Sequence, residues 1–236
     1  MEAEGDLEGR LAWVDQVAAS PPVVHPDAPN GAVWNTELSC YELMARHVRP
    51  GARTLETGAG MSTVLFAAWA CQHVAVVPFQ NEVDAVVGYC DAHCIPRDSL
   101  HFDVRPSEVA LPELSGVAAL DLVFIDGCHG FPMPIIDWFY GAQLLRRDGI
   151  LVFDDVQLPQ VRSLIDSFIG RDDRWQGVAV TGKWMAFRRM SEGPLAEGEL
   201  NQRFFPEPAR TPWRRTKDAV PLSVRTTLWR AVHGSS

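Results

Sequence analysis

Thr54-Leu-Glu-Thr-Gly-Ala-Gly-Met-Ser-Thr63 sets a short apolar strand directly ahead of a glycine turn and a run of hydroxyl residues. Val123-Phe-Ile-Asp-Gly-Cys-His129 and Ile150-Leu-Val-Phe-Asp-Asp155 repeat the arrangement, each with a buried-type strand that ends on acidic or imidazole side chains. In open, mostly parallel α/β sheets, ligands settle beyond the carboxyl ends of the strands, so polar residues that follow strands converge there from distant parts of the chain. Glu56, Asp126, His129, Asp154 and Asp155 are therefore expected to share one pocket.

Working outward from these runs, strands and helices alternate. Arg53 to Thr57 reads as a strand, Ser62 to Cys71 as a helix, His73 to Val77 as a strand and Glu82 to His93 as a helix. Leu100 to Val104 is the next strand, with a short helix near Glu108. Leu120 to Ile125 follows as a strand, Ile135 to Leu145 as a helix that stops before Asp148-Gly149, and Ile150 to Phe153 as a strand. Val161 to Ile169 adds a helix, and Gly177 to Thr181 with Trp184 to Arg188 forms a hairpin turning at Gly182-Lys183. This rhythm predicts an α/β fold of the Rossmann-like, doubly wound kind: a mostly parallel sheet, covered on both faces and closed by a terminal antiparallel hairpin.

Residues 1–50 read as a helical N-terminal cap or lid, with helices at 7–19 and 37–48 around a Pro-containing loop from Ser20 to Gly31. The sheet domain spans 51–190. Residues 191–236 change character: Pro194, Pro206, Pro208, Pro212 and Pro221 interrupt any pattern, and Arg210, Arg214, Arg215, Lys217, Arg225 and Arg230 make the segment basic. This extended C-terminal arm is expected to dock on its own domain or on a second copy, which makes a homodimer plausible.

The whole chain of 236 residues carries a net charge of -9, so it lacks the basic footprint of a nucleic-acid binder. Its acidic start and the absence of an ~18-residue apolar run point away from a signal peptide and a membrane span. Five scattered cysteines fit reduced thiols and a cytoplasmic setting, and Cys90-x-x-His93-Cys94 lacks the second ligand pair of a zinc site. A small-molecule partner is expected.

Gly58 and Gly60 allow a tight turn and close backbone approach to a ligand. A dinucleotide turn wants a third glycine where Thr63 stands and an acid after the second strand, where Val77-Pro78 stands, so a nicotinamide enzyme is disfavoured. The ordered motifs resemble those of class I S-adenosylmethionine-dependent methyltransferases, whose first motif is an acid-x-Gly-x-Gly turn. The Asp126-Gly-Cys-His129 element and the late pair Asp154-Asp155 are similar to those of the small-molecule O-methyltransferase branch, over roughly residues 35 to 190. The resemblance implies that Glu56, Gly58, Ala59, Gly60, Ser62 and Thr63 line the methionine and ribose portion of S-adenosyl-L-methionine, with Ser107-Glu108 near the adenine and Asp126 also at the cofactor. The family's ribose-binding acid after the second strand is missing at Val77-Pro78-Phe79; the alternatives are that Glu82, a few residues on, substitutes for it or that the ribose is held through water.

Methyl transfer from a sulfonium needs in-line positioning and an activated acceptor. Asp126, Asp154 and Asp155, clustered at strand ends, repel one another unless protonated, paired or bridged, and a hard cation such as Mg²⁺ suits them. His129 is then the candidate general base, with Asp126 beside it. The bland alternatives are that His129 packs the loop and that Asp154-Asp155 caps a helix near Gln157. Trp138 and Phe139 read as core, whereas Phe131-Pro-Met-Pro134 reads as a stiff apolar rim for the acceptor. The leading expectation is methyl transfer to a hydroxyl of a small molecule. A metal-dependent hydrolase using Asp126, His129, Asp154 and Asp155, or a cofactor-binding protein without turnover, are the alternatives.

Overall fold

A computed structural model of the chain describes residues 2–25, 34–114, 119–193 and 195. Two helices, α1 (Glu2–Ala19) and α2 (Leu38–His47), precede the sheet. The alternating part then runs β1 (Arg53–Thr57), α3 (Met61–Ala68), β2 (Gln72–Val76), α4 (Gln80–Ala92), β3 (Leu100–Asp103), α5 (Ser107–Glu113), β4 (Leu120–Ile125), α6 (Met133–Leu144) and β5 (Leu145–Phe153). A short helix α7 (Pro159–Leu164) leads to the hairpin β6 (Trp175–Val180) and β7 (Met185–Arg189).

The strands form one seven-stranded sheet in the order β3-β2-β1-β4-β5-β7-β6. β3, β2, β1, β4 and β5 are parallel, and β7 joins β5 and β6 antiparallel. The central strands are apolar on both faces because helices cover both; Leu55, Leu122, Val123, Phe124, Leu151 and Val152 are all buried. The chain leaves β1 toward β2 and β3, then returns to place β4 on the other side of β1. That reversal opens a crevice at the strand ends.

The N-terminal helices are part of the same core. Val14, Val17, Tyr41 and Met44 share a buried cluster with Val64, Leu65 and Phe66 of α3. Arg10 donates from Nε to the Ala45 carbonyl at 2.9 Å, and its own carbonyl accepts from Trp69 Nε1 at 3.0 Å, which ties α1 to α2 and α3.

Element boundaries depart from the sequence expectation where local geometry intervenes. β5 begins at Leu145 instead of Ile150, because Leu145 already pairs with Leu120 across an irregularity in the register. Asp148, at φ 65°, and Gly149 make the turn inside that strand, and a Cβ on Gly149 would lie 2.9 Å from the Arg146 carbonyl oxygen. The helix expected from 161 to 169 ends at Leu164 and continues as a wider π-turn, Ile165–Ile169. Trp138 is buried as expected. No helix among the described residues is long and apolar enough to cross a membrane, and most of the 191–236 arm lies outside them.

The last strand also closes an open helix end. Arg189, 2% exposed, donates to the carbonyls of Ala142 at 2.6 Å, Leu145 at 2.9 Å and Ser191 at 2.9 Å. Ala142 lies in the last turn of α6 and Leu145 is its C-cap, so the guanidinium ties that helix end to the segment after β7. Arg189→Met is expected to cost about 2–4 kcal/mol, the range for stripping charged donors from buried acceptors, read as a lower urea midpoint.

Candidate active site

Strand register gathers the three motifs. Thr57 pairs with Ile125, and Ile125 with Phe153. The next residues continue the ladder: Asp126 N–H donates to the Thr57 carbonyl at 3.2 Å and Asp154 N–H to the Ile125 carbonyl at 3.0 Å. A cavity of about 1270 Å³ opens over this edge. Its wall contains Glu56, Gly58, Ala59, Gly60, Ser62, Ser107, Asp126, His129, Asp154 and Asp155, so acids from three separate motifs do meet in one place.

On the glycine side, Gly58 has φ 91°, a left-handed conformation that only glycine adopts freely. A Cβ there would lie 2.7 Å from the Asp126 carbonyl oxygen, so the turn can press against the β4 end only without a side chain. Thr63 lies behind the wall: its hydroxyl accepts from Gly60 N–H at 2.9 Å and donates to Glu56 Oε1. The same Oε1 is 3.0 Å from His73 Nε2, and His73 Nδ1 is 2.7 Å from the Thr54 hydroxyl. A carboxylate only accepts, so Nε2 carries the proton, and in the neutral ring Thr54 donates to Nδ1. Phe66 stacks on His73 at 4.4 Å and completes the clamp. Glu56 is 1% exposed, and among the described residues no hydrogen bond reaches its second oxygen.

Val76, Pro78 and Phe79 extend the cavity along β2, and Ser107 and Glu108 open α5 on the same wall. Glu82, from the first turn of α4, is also there and 7% exposed. Burial raises its pKa above the usual carboxylate value, and His25 Nδ1, whose own pKa burial lowers, lies 3.6 Å from Oε1. His25 and Trp34 meet at the cavity wall with their rings tilted by 39° and centroids 4.7 Å apart, where the described ends of the 20–37 loop lie.

The acidic side is densely paired. Asp154 Oδ1 accepts from the Thr36 hydroxyl at 2.6 Å, and Oδ2 lies 3.0 Å from Lys183 Nζ. Asp155 Oδ1 takes Lys183 Nζ and, at 2.8 Å, Gln157 Nε2, while Oδ2 is 3.0 Å from His129 Nε2. Asp126 Oδ1 stands 3.7 Å from the same imidazole nitrogen. Withdrawal from water pushes Asp126 up to about 7, with Asp154 and Asp155 adding to the rise and His129 opposing it. Burial works against a charge on His129, but hydrogen bonds to Asp126 and Asp155 prevail and raise its pKa to about 9. The His129 and Lys183 hydrogen bonds hold Asp155 well below the usual carboxylate range. Lys183 is raised despite burial, by Asp155 and Asp154.

Several expectations change on this geometry. A general base needs a pKa near working pH, but His129, between two carboxylates, keeps its proton at neutral pH. Among the described residues, the acid and imidazole ligand atoms close enough to share an ion belong to Asp126, His129 and Asp155, not to Asp126, Asp154 and Asp155. Asp154 is turned to Thr36 and Lys183 instead. Nor do the acids cap a helix near Gln157, since Leu158 occupies the N-cap of α7. Of the apolar rim only Met133 reaches the cavity; Phe131 is 78% exposed and lines a separate groove with Ile135 and Phe168. Of the Cys90-x-x-His93-Cys94 run, Cys90 is buried, Cys94 is exposed and His93 Nδ1 lies 2.8 Å from the Tyr89 carbonyl.

Sequence reasoning missed Lys183, Thr36 and His73. Lys183 had a trace in the sequence, as half of the expected Gly182-Lys183 turn, but its charge partners lie 28 residues away. Thr181 fixes that turn by accepting from Lys183 N–H at 3.2 Å and Trp184 N–H at 2.9 Å. His73 carried no signal, since an alternating strand hides one polar residue.

A parallel sheet with a terminal antiparallel hairpin, a glycine turn after its first strand and acids after its fourth and fifth define a Rossmann-like, doubly wound α/β fold. Residues 55–156 match the family model described as a methyltransferase domain. No curated protein matches the chain in sequence. Among solved structures, the O-methyltransferase TomG from Streptomyces achromogenes, in complex with SAM, is similar at 18% identity and TM-score 0.58, covering 77% of this chain and 90% of that one. The SAH-bound methyltransferase PaMTH1 of Podospora anserina is 18% identical with TM-score 0.55, covering 79% and 88%. An rRNA methylase from Streptococcus thermophilus is also similar, at 11% identity and TM-score 0.52, covering 68% and 99%, so the fold does not select the acceptor.

Gly58→Ala is expected to abolish S-adenosylhomocysteine binding by calorimetry and to lower the melting temperature, because both the positive φ and the Asp126 carbonyl exclude a methyl group there. A variant that binds normally would place the cofactor elsewhere.

Proposed function

We propose that the protein transfers a methyl group from S-adenosyl-L-methionine to a hydroxyl of a small molecule. The observation that carries this reading is the sharing of one cavity by the Glu56–Gly60 turn and the Asp126–His129–Asp155 cluster. At about 1270 Å³ the cavity exceeds the roughly 300–1,000 Å³ of a single-ligand pocket, which leaves room for an acceptor beside a cofactor.

The residues fit such a cofactor. Glu56 presents an unengaged carboxylate oxygen to the glycine turn, Ser62 and Ser107 offer hydroxyls, and Pro78 and Phe79 supply apolar wall. Glu82 takes the part of the missing acid after β2: a buried carboxylate with no hydrogen-bonded partner among the described residues suits a ligand that brings hydroxyl donors. S-adenosylmethionine supplies a methyl group on a sulfonium that leaves as a neutral thioether.

The protein's share is orientation and proton transfer. Asp126, the least engaged of the three acids, accepts the acceptor's hydroxyl proton; a carboxyl near 7 is matched to that task at neutral pH. Protonated His129 holds Asp126 and Asp155 in place, and Gln160 fixes its loop by donating to the His129 carbonyl at 2.5 Å. The acidic charge of the chain favours a small acceptor over RNA. Five free thiols fit a reducing, cytoplasmic setting. The acceptor half does not suit a resident Mg²⁺, since every oxygen of Asp154 and Asp155 already has a protein donor.

Turnover is expected to rise with pH through about 7 as Asp126 loses its proton, and to fall above about 9 as His129 loses its own. Asp126→Asn should spare S-adenosylhomocysteine affinity and cut turnover at least ~100-fold, the usual loss of a general base. A pH-independent rate would remove Asp126 from the role. Glu82→Gln should weaken S-adenosylhomocysteine binding by about tenfold in calorimetry, the worth of a charged hydrogen bond. If wild-type protein binds neither cofactor form, the methyl-transfer reading fails.

A further inference from the structure

The acidic cluster has a cation of its own. Lys183 comes from the turn between β6 and β7, and its ammonium sits against Asp154 Oδ2 at 3.0 Å and against Asp155 Oδ1. The contact is built from several sides. Val156 N–H donates to the Lys183 carbonyl at 3.0 Å, which docks the turn on the segment after β5. Trp184 Nε1, one residue on, donates to Glu37 Oε2 at 3.2 Å and Ser39 Oγ at 3.1 Å, which pins the hairpin to the start of α2. Thr36, just ahead of that helix, takes the remaining oxygen of Asp154. Three elements far apart in sequence thus hold one ammonium over two adjacent carboxylates.

We propose that Lys183 is the resident counter-ion of the acceptor site, standing where the acidic cluster would otherwise recruit a divalent cation, so that the site works without a metal. Asp154 and Asp155 at neighbouring positions repel at close range, and some positive charge must offset them. The ammonium does this with two of its three donors and leaves the third for the cavity that Lys183 lines. A lysine is a point charge on a flexible stem, so it compensates carboxylates without imposing an octahedral oxygen shell. The role in turnover rests on the methyl-transfer reading, whereas the charge relation stands without it.

The test is a titration of purified protein with MnCl2, following free Mn²⁺ by electron paramagnetic resonance. Wild-type protein is expected to show no site tighter than ~1 mM. Lys183→Met, which leaves Asp154 without a cation and Asp155 with His129 alone, is expected to gain a site at least ~10-fold tighter, and adding Asp155→Asn to it should abolish that site. Lys183→Arg keeps the charge and should behave as wild type. Submillimolar binding to wild-type protein overturns the proposal, and that measurement needs no variant to fold. Absence of binding in both wild-type and a folded Lys183→Met, checked by circular dichroism, overturns it as well, because Lys183 would then replace nothing. S-adenosylhomocysteine calorimetry on the wild type, run in parallel, reports separately on the methyl-transfer reading.

Discussion

The pairing of β1 with β4 is the constraint on which the site depends. Two strands separated by more than sixty residues run side by side in register from Thr54 with Leu122 to Thr57 with Ile125, and their ends deliver Gly58 and Asp126 to the same point. The contact is tight enough that Gly58 has no room for a methyl group. Everything that a ligand would meet is hung from that junction: the glycine turn on one side, the acids of β4 and β5 on the other. A slip of one residue in this pairing would turn the side chains to the opposite face and dissolve the pocket.

Charge is the second organising term. Three carboxylates lie at the acidic end, and two cations answer them, Lys183 on Asp154 and Asp155, and His129 between Asp155 and Asp126. The result is graded. Asp155, with the strongest partners, is held ionised, while Asp126, with only a distant imidazole beside it, is drawn to about 7. Neighbouring acids with different environments can then take different roles, one structural and one in proton transfer.

The strands, the glycine turn and the acids were legible because each is a local signal. An apolar run of four to six residues that ends in Asp or Gly reads the same in any parallel sheet. The partners of those acids were not legible. Asp154 and Asp155 looked like metal ligands as long as nothing in their neighbourhood in sequence neutralised them; Thr36 and Lys183 do so from 118 and 28 residues away. His129 looked like a base because its pKa was assigned without its neighbours, and Asp155 was not visibly one of them. Phe131 looked like a pocket wall because it follows His129 closely, yet the chain turns it outward onto another surface.

By itself the sequence determined the order of strands and helices, the turn at Gly58, and which acids end which strands, since backbone propensity and hydrophobic period act over a few residues. Tertiary structure alone decided which oxygen of each acid is paired, that Thr63 braces Glu56 from behind, and that a hairpin lysine neutralises the site. The physical reason is that electrostatic energy depends on distance in space and on the surrounding dielectric, and both are set only once the sheet has closed.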